Sequence, residues 1–223
     1  LKKIPSFQYF QPNYTYYPQL LGNATSSSKY DTQKQYMDYM KFPLVWEYAT
    51  GNNVVVAVMD SGINKSHFEF CDSDNSDCPA ADFSIVTPQS FPVEELLGSA
   101  AASYVGETYN NPLVYEDLNG HGTHVAGIIG AQFNSNKTDN GASHGIVGAA
   151  YGVKLMPLKV FFMYSFEKNE LRSQTDSLVS AINYAVKNNA HIINMSLGGI
   201  LNSDEDKLLE DAVNQAVQAD VLI

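Results

Sequence analysis

A chain of 223 residues with 44% hydrophobic side chains, 15 Gly and 9 Pro can bury a sizeable core and is neither disordered nor collagen-like. Thirteen Lys and Arg against 24 Asp and Glu give a formal charge of -11, which would repel a nucleic acid backbone and an anionic membrane surface alike, so no nucleic acid partner is expected. The apolar run Val54 to Met59 is far shorter than the roughly 18 residues a membrane-spanning helix needs, so no membrane span is expected either.

The sequence opens at Leu1, and no charged-then-apolar leader follows, which suggests a processed or trimmed product. Residues 1 to about 40 are rich in Tyr, Gln, Pro, Ser and Asn and hold no period of 2 or 3.6, so residues 1–42 read as an extended N-terminal arm ahead of a domain over 43–223. Val54 to Met59 is an unbroken, largely β-branched run ending at Asp60-Ser61-Gly62, the pattern of a strand buried on both faces of a parallel sheet. It delivers Asp60 at its carboxyl end. Cys71 and Cys78 bracket a short acidic loop, and a local disulfide is expected, in keeping with an oxidising compartment and a secreted or cell-surface location. The three aspartates between them lack the glycine and terminal glutamate of an EF-hand loop.

Phe83 to Tyr115 reads as an insertion with one short helix near Gly98 to Ser103. Helical spacing returns from His121 to Phe133, with His124, Val125, Ile128, Ile129 and Gln132 about a turn apart, and the polar loop Asn134 to Gly141 follows. Val153 to Val160 is a second strand, Asp176 to Asn188 an amphipathic helix and His191 to Leu197 a third strand. Ser203 with Asp206 three residues on resembles a capping box for a helix whose apolar stripe runs from Leu208 to Val217. Val221-Leu222-Ile223 reads as the first half of another strand. Strands alternating with helices predict an α/β fold with a doubly wound, mainly parallel sheet flanked by helices, incomplete within this chain.

Two segments fall where such folds place their chemistry: Asp60-Ser61-Gly62, and Asn119-Gly120-His121-Gly122-Thr123-His124-Val125-Ala126-Gly127. A carboxylate at a strand end can hold an imidazole in one tautomer, and a helix N-terminus disfavours the cationic imidazole. Together they would keep a general base neutral and oriented.

Val-Ala-Val-Met-Asp60-Ser-Gly-Ile, then His121-Gly-Thr-His-Val-Ala-Gly, then Asn194-Met-Ser-Leu-Gly-Gly199 occur in the order found in the subtilisin-like serine proteases, which the stretch Trp46 to Ile223 resembles. The resemblance implies that Asp60 is the triad aspartate and His121 the general base. It implies that Ser196, Leu197 and Gly198 form the edge segment that docks a polypeptide substrate, and that no organic cofactor is required. Structural calcium belongs to the family too, but Glu69 stands, two residues after His67, where an Asp is usual, and the loop after the catalytic helix is the longer Asn134 to Ser143. No metal ligand is therefore assigned. The family's nucleophile lies in a Gly-Thr-Ser block well downstream of the Ser-Leu-Gly-Gly segment, whereas no glycine follows Gly199 here. The expectation is a serine endopeptidase whose nucleophile comes from the C-terminal remainder of the catalytic domain, with residues 1–223 alone inactive. A catalytically inactive peptide-binding or regulatory module is the alternative.

Three other patterns carry weaker signals. Gly141-Ala142-Ser143-His144-Gly145 matches a hydrolase nucleophile elbow, but no helical period follows, so Ser143 reads as a loop residue. Gly120-His121-Gly122 begins like a dinucleotide fingerprint but has Val125 in place of the third glycine. Asp117, His121 and His124 could share a zinc ion, yet no His-Glu-x-x-His arrangement exists, and His124 reads as packed within its helix, with His144 and His191 structural or superficial.

Overall fold

The computed structural model describes residues 15–18, 30–64, 67–70, 89–90, 117, 119–132, 138–139, 142–143, 146–165, 168, 170–199 and 206–223. In chain order they form β1 (Thr15–Pro18), α1 (Tyr30–Tyr39), α2 (Phe42–Trp46), β2 (Val55–Asp60), a 3-10 turn at Phe68–Phe70, β3 (Gln89–Ser90), α3 (His121–Gly130) and the hairpin of β4 (Thr138–Asp139) and β5 (Ala142–Ser143). There follow β6 (Lys154–Lys159), β7 (Phe162–Ser165), β8 (Glu170–Gln174), α4 (Thr175–Lys187), β9 (Ile192–Asn194), β10 (Leu197–Gly198) and α5 (Lys207–Gln218).

A parallel sheet in the order β3-β6-β2-β9 forms the centre, with Asp60 level with Lys159 of β6, and Val58 with Asn194 of β9. Leu222 bridges in parallel to Ile192, adding the start of a further strand beside β9, as Val221 to Ile223 suggested. Side chains of β2 alternate between two cores. Ala57 and Met59 join Leu178, Ile182, Ala212 and Ala216 of α4 and α5, while Val56 and Val58 join Val125 and Ala126 of α3. Helices cover both faces, so the unbroken apolar run of β2 is explained and the doubly wound reading stands. Burying one side chain such as Met59 or Leu158 completely stabilises the fold by about 1.5–3 kcal/mol.

A second, antiparallel sheet runs β10-β1-β8-β7. Its member β10 follows β9 after two residues: the segment read as one strand, His191 to Leu197, is two strands in different sheets. Asn194 Nδ2 donates to Ser196 Oγ across the break at 2.8 Å.

Residues 30–39 hold a helix within the stretch 1–42 read as an extended arm, and α2 begins where that stretch ends. Among the described side chains of α1, only Gln33 and Met37, one turn apart, are buried, too narrow a stripe to give a helical period in so polar a segment. The Gln33 amide donates to Val147 O (3.1 Å) and accepts from Val147 N (2.9 Å), and Trp46 Nε1 donates to Ala149 O (2.9 Å), so both helices are fastened to the segment that leads into β6. The stripe expected for α3 also needs correction, because its buried face is Gly122, Val125, Ala126, Gly127 and Gly130, and His124 is exposed rather than packed. Small residues let this helix lie close to the sheet, which leaves positions 124 and 128 outside. The helix ends at Gly130, short of Phe133. At α5 the cap is Asp206 itself, whose Oδ1 accepts from Leu209 N (3.1 Å) while Oδ2 accepts from the Thr175 hydroxyl (2.6 Å), tying the starts of α4 and α5 together. Ser203, Cys71, Cys78, His144 and, apart from β3, the insertion 83–115 lie outside the described residues.

Candidate active site

Asp60 occupies the last position of β2 and is wholly buried; His121 opens α3, and its imidazole is 8% exposed. Gly120, with φ 94°, turns the chain into the helix through the left-handed region where glycine is unstrained. The His121 Nδ1 atom lies 2.8 Å from Asp60 Oδ1 and 3.0 Å from Oδ2. An ionised carboxylate only accepts hydrogen bonds, so the pairing puts the proton on Nδ1 and leaves Nε2 as the basic nitrogen. Ser61 N also donates to Asp60 Oδ1, at 2.7 Å, fixing the carboxylate from the strand side.

Close approach of helix and strand is what allows this pair to meet. A Cβ at Gly122 would lie 2.1 Å from Gly62 O and 3.1 Å from Asp60 Oδ1, so only glycine fits there. In the sequence Asp117 entered only through the zinc pattern set aside above; the structure gives it a definite task. Its Oδ1 accepts from the Ser61 hydroxyl (2.8 Å), Asn119 N (3.1 Å) and Gly120 N (2.8 Å), and its Oδ2 from Thr123 N (2.8 Å) and the Thr123 hydroxyl (2.6 Å). A carboxylate four residues before the helix's first residue, with a hydroxyl two residues after it, was the readable sign of such a cap. Asp117, His121 and His124 do not converge on one ion. Asp117 takes donors from the chain, His121 turns to Asp60, and among the described residues no cluster of His, Cys, Asp and Glu is arranged for a metal.

His67, Glu69 and His124 border a cavity of about 330 Å³ on the other side of α3. Glu69 Oε1 accepts from Ile146 N at 3.4 Å, and its backbone O accepts from Gln132 N at 2.9 Å. His191 is structural, its Nδ1 accepting from Val55 N at 3.0 Å where β2 begins. Ser143 ends the β4–β5 hairpin, and the described residues 146–150 beyond it are not helical, so the strand-turn-helix of a nucleophile elbow is not there.

Ser196, Leu197 and Gly198 come just past the carboxyl end of β9, the same end of the parallel sheet as Asp60. Leu197 and Gly198 pair antiparallel with Pro18 and Tyr17 of β1, whose other edge pairs Thr15 and Tyr16 with Gln174 and Ser173 of β8. A segment of the chain's own N-terminal region thus lies as a strand between β10 and β8.

The sequence profile of the subtilase family, peptidase S8, matches residues 51–223. The chain belongs to the subtilase family. This subtilase chain is 30% identical over 187 residues to an intracellular serine protease of Paenibacillus polymyxa, a match covering 84% of the chain and 45% of that protein. It is 30% identical over 231 residues to the minor extracellular protease Epr of Bacillus subtilis, covering 100% of the chain and 28% of that protein. The chain therefore spans less than half the length of these curated relatives. Among solved structures, MycP1 from the ESX-1 type VII secretion system shares the fold, with a TM-score of 0.53 and 20% identity over 96% of this chain and 50% of that one. The relatives include proteins named as intracellular and as extracellular.

Proposed function

We propose that residues 1–223 are part of a serine endopeptidase that hydrolyses peptide bonds through Asp60, His121 and a serine supplied by a segment outside these residues. The observation that carries this reading is the buried Asp60 carboxylate 2.8 Å from His121 Nδ1 at the carboxyl end of a parallel sheet. With Nδ1–H held by Asp60, Nε2 takes the serine proton as the hydroxyl oxygen attacks the substrate carbonyl. The same nitrogen then gives that proton to the leaving amine, and a second cycle with water releases the acyl group. Asp60 stays ionised and stabilises the imidazolium formed in both steps. No organic cofactor or metal enters this chemistry.

In this reading the polypeptide substrate docks on Ser196, Leu197 and Gly198 by adding a strand to β10, and β1 is an internal example of that mode of binding. The secreted or cell-surface location is also part of the proposal, and it rests on a Cys71–Cys78 disulfide that thiol labelling of the unreduced protein would test.

The decisive experiment treats the full-length protein with a fluorophosphonate probe and assays peptide hydrolysis. Labelling of a serine beyond residue 223, lost together with activity when His121 is replaced by Ala, supports the proposal. Labelling of Ser143, or capture of peptides without hydrolysis by an unlabelled protein, overturns it, the latter in favour of a non-catalytic module.

A further inference from the structure

We propose that Asp117 is a positioning residue that sets the Asp60–His121 geometry by drawing the hydroxyls of Ser61 and Thr123 into one brace between the end of β2 and the first turn of α3. The brace is reciprocal. Ser61, on the strand side, accepts from Gly122 N of the helix at 2.9 Å; Thr123, on the helix, accepts from Asn64 N of the segment after β2 at 2.9 Å. Each hydroxyl has a single proton, and each donates it to Asp117, Ser61 to Oδ1 and Thr123 to Oδ2. Backbone N–H groups can only donate, so the direction of every bond in the set is fixed.

The consequence for the candidate catalytic pair follows from adjacency. Ser61 is the residue after Asp60, and its own N–H holds Asp60 Oδ1; Gly122 is the residue after His121. A single bond, Gly122 N–H to Ser61 Oγ, therefore ties together the two backbone positions next to the two reacting side chains. That oxygen faces Gly122 because its proton is committed to Asp117. The Thr123–Asn64 link is a second tie, one residue further along α3 and three residues further along the segment after β2, and it resists rotation about the first.

An isosteric amide cannot replace the carboxylate. Oδ1 faces three donors and Oδ2 two, so an Asn in either orientation would point its NH2 group at donors. One half of the brace would open. Asp117 touches no reacting atom, and its effect would be a displacement of the imidazole, the kind of small misplacement that can cost up to about 10²-fold in rate.

The kinetic part of the test rests on the endopeptidase reading; the spectroscopic part does not. In the full-length protein, Asp117→Asn and Thr123→Val are compared with Thr123→Ser. The first two should lower kcat by about 10- to 100-fold with KM within about twofold, and Thr123→Ser, which keeps the hydroxyl, should stay within about threefold of wild type. The low-field proton resonance of His121 Nδ1–H should move or broaden in Asp117→Asn and Thr123→Val and be retained in Thr123→Ser. Should Asp117→Asn fail to fold, Thr123→Val, which removes one arm only, decides. An unmoved resonance with unchanged kcat in Thr123→Val, or losses equal in Val and Ser, would overturn the brace. A wild-type protein without peptidase activity would overturn the endopeptidase reading instead, and the resonance alone would then judge Asp117.

Discussion

The corner where β2 meets α3 and the strip where β1 meets β10 lie at the same end of the molecule and are held in different ways. At the corner, a fully buried carboxylate, a nearly enclosed imidazole and two hydroxyls with fixed proton directions leave no bond that can rotate independently. On the strip, β1 is held by two paired residues on each edge, and one of these, Pro18, has no N–H to give. The first arrangement suits groups whose distance must not change between turnovers. Under the proposed function the second suits a strand that substrate displaces, because backbone pairing with β10 and β8 can be made by any extended peptide of matching length.

The rigid corner should therefore respond to change with the larger losses. Replacing Asp60 by Asn in the full-length enzyme should favour the wrong imidazole tautomer and lower turnover by about 10⁴-fold, with folding intact by circular dichroism. Near-normal peptidase activity in that variant would show that the corner is architecture only. A smaller but still large effect is expected at Gly122. The added methyl of Gly122→Ala would meet Gly62 O at 2.1 Å and force α3 off the strand, destabilising the fold by about 1–3 kcal/mol and reducing kcat about 10²-fold. Gly120→Ala is the control: its Cβ would meet nothing within 4 Å, so its cost is only the strain of φ 94°, about 1–2 kcal/mol. Urea midpoints and kcat measured side by side separate the two. Equal kcat for both variants would mean that the close approach of helix to strand does not govern the pair.

The same contrast explains what could be read from the amino acids. Asp60 was legible because a β-branched run stops at it, and His121 because it starts a helix within a recognisable block; both signals are local. Covering β2 by helices on both faces followed from its lack of alternation. Asp117 was legible as a local acceptor for Asn119, Gly120 and Thr123 but not as a link to the strand, since the Ser61 hydroxyl reaches it only when strand and helix pack. The stripe of α3 was misjudged at His124 because three of the five buried positions are glycines, which carry no hydrophobic signal. Helix α1 escaped notice because one of the two buried positions among its described side chains is Gln33, whose partner is the backbone of Val147. β1 could not be found from its own residues at all: its strand character comes from Leu197, Gly198, Ser173 and Gln174, far away in sequence.

The smallest expected effect concerns that exchangeable strand. If β1 lies where substrate must dock, the cleft is open only for the fraction of time β1 is displaced, and the apparent affinity for peptide falls by that fraction. Deleting residues 1–18 from the full-length enzyme should then lower KM for a peptide substrate by about three- to tenfold and leave kcat unchanged, because Asp60 and His121 keep every bond described above. A synthetic peptide of residues 10–20 should restore the higher KM competitively in the shortened enzyme. α1 should hold its place without the deleted segment, since its anchors are Gln33 and Met37 rather than β1, so thermal unfolding should be within a few degrees of wild type. An unchanged KM together with no inhibition by the peptide would mean that β1 and the substrate use different surfaces, and the substrate would then pair with the edge of β10 that β1 leaves open.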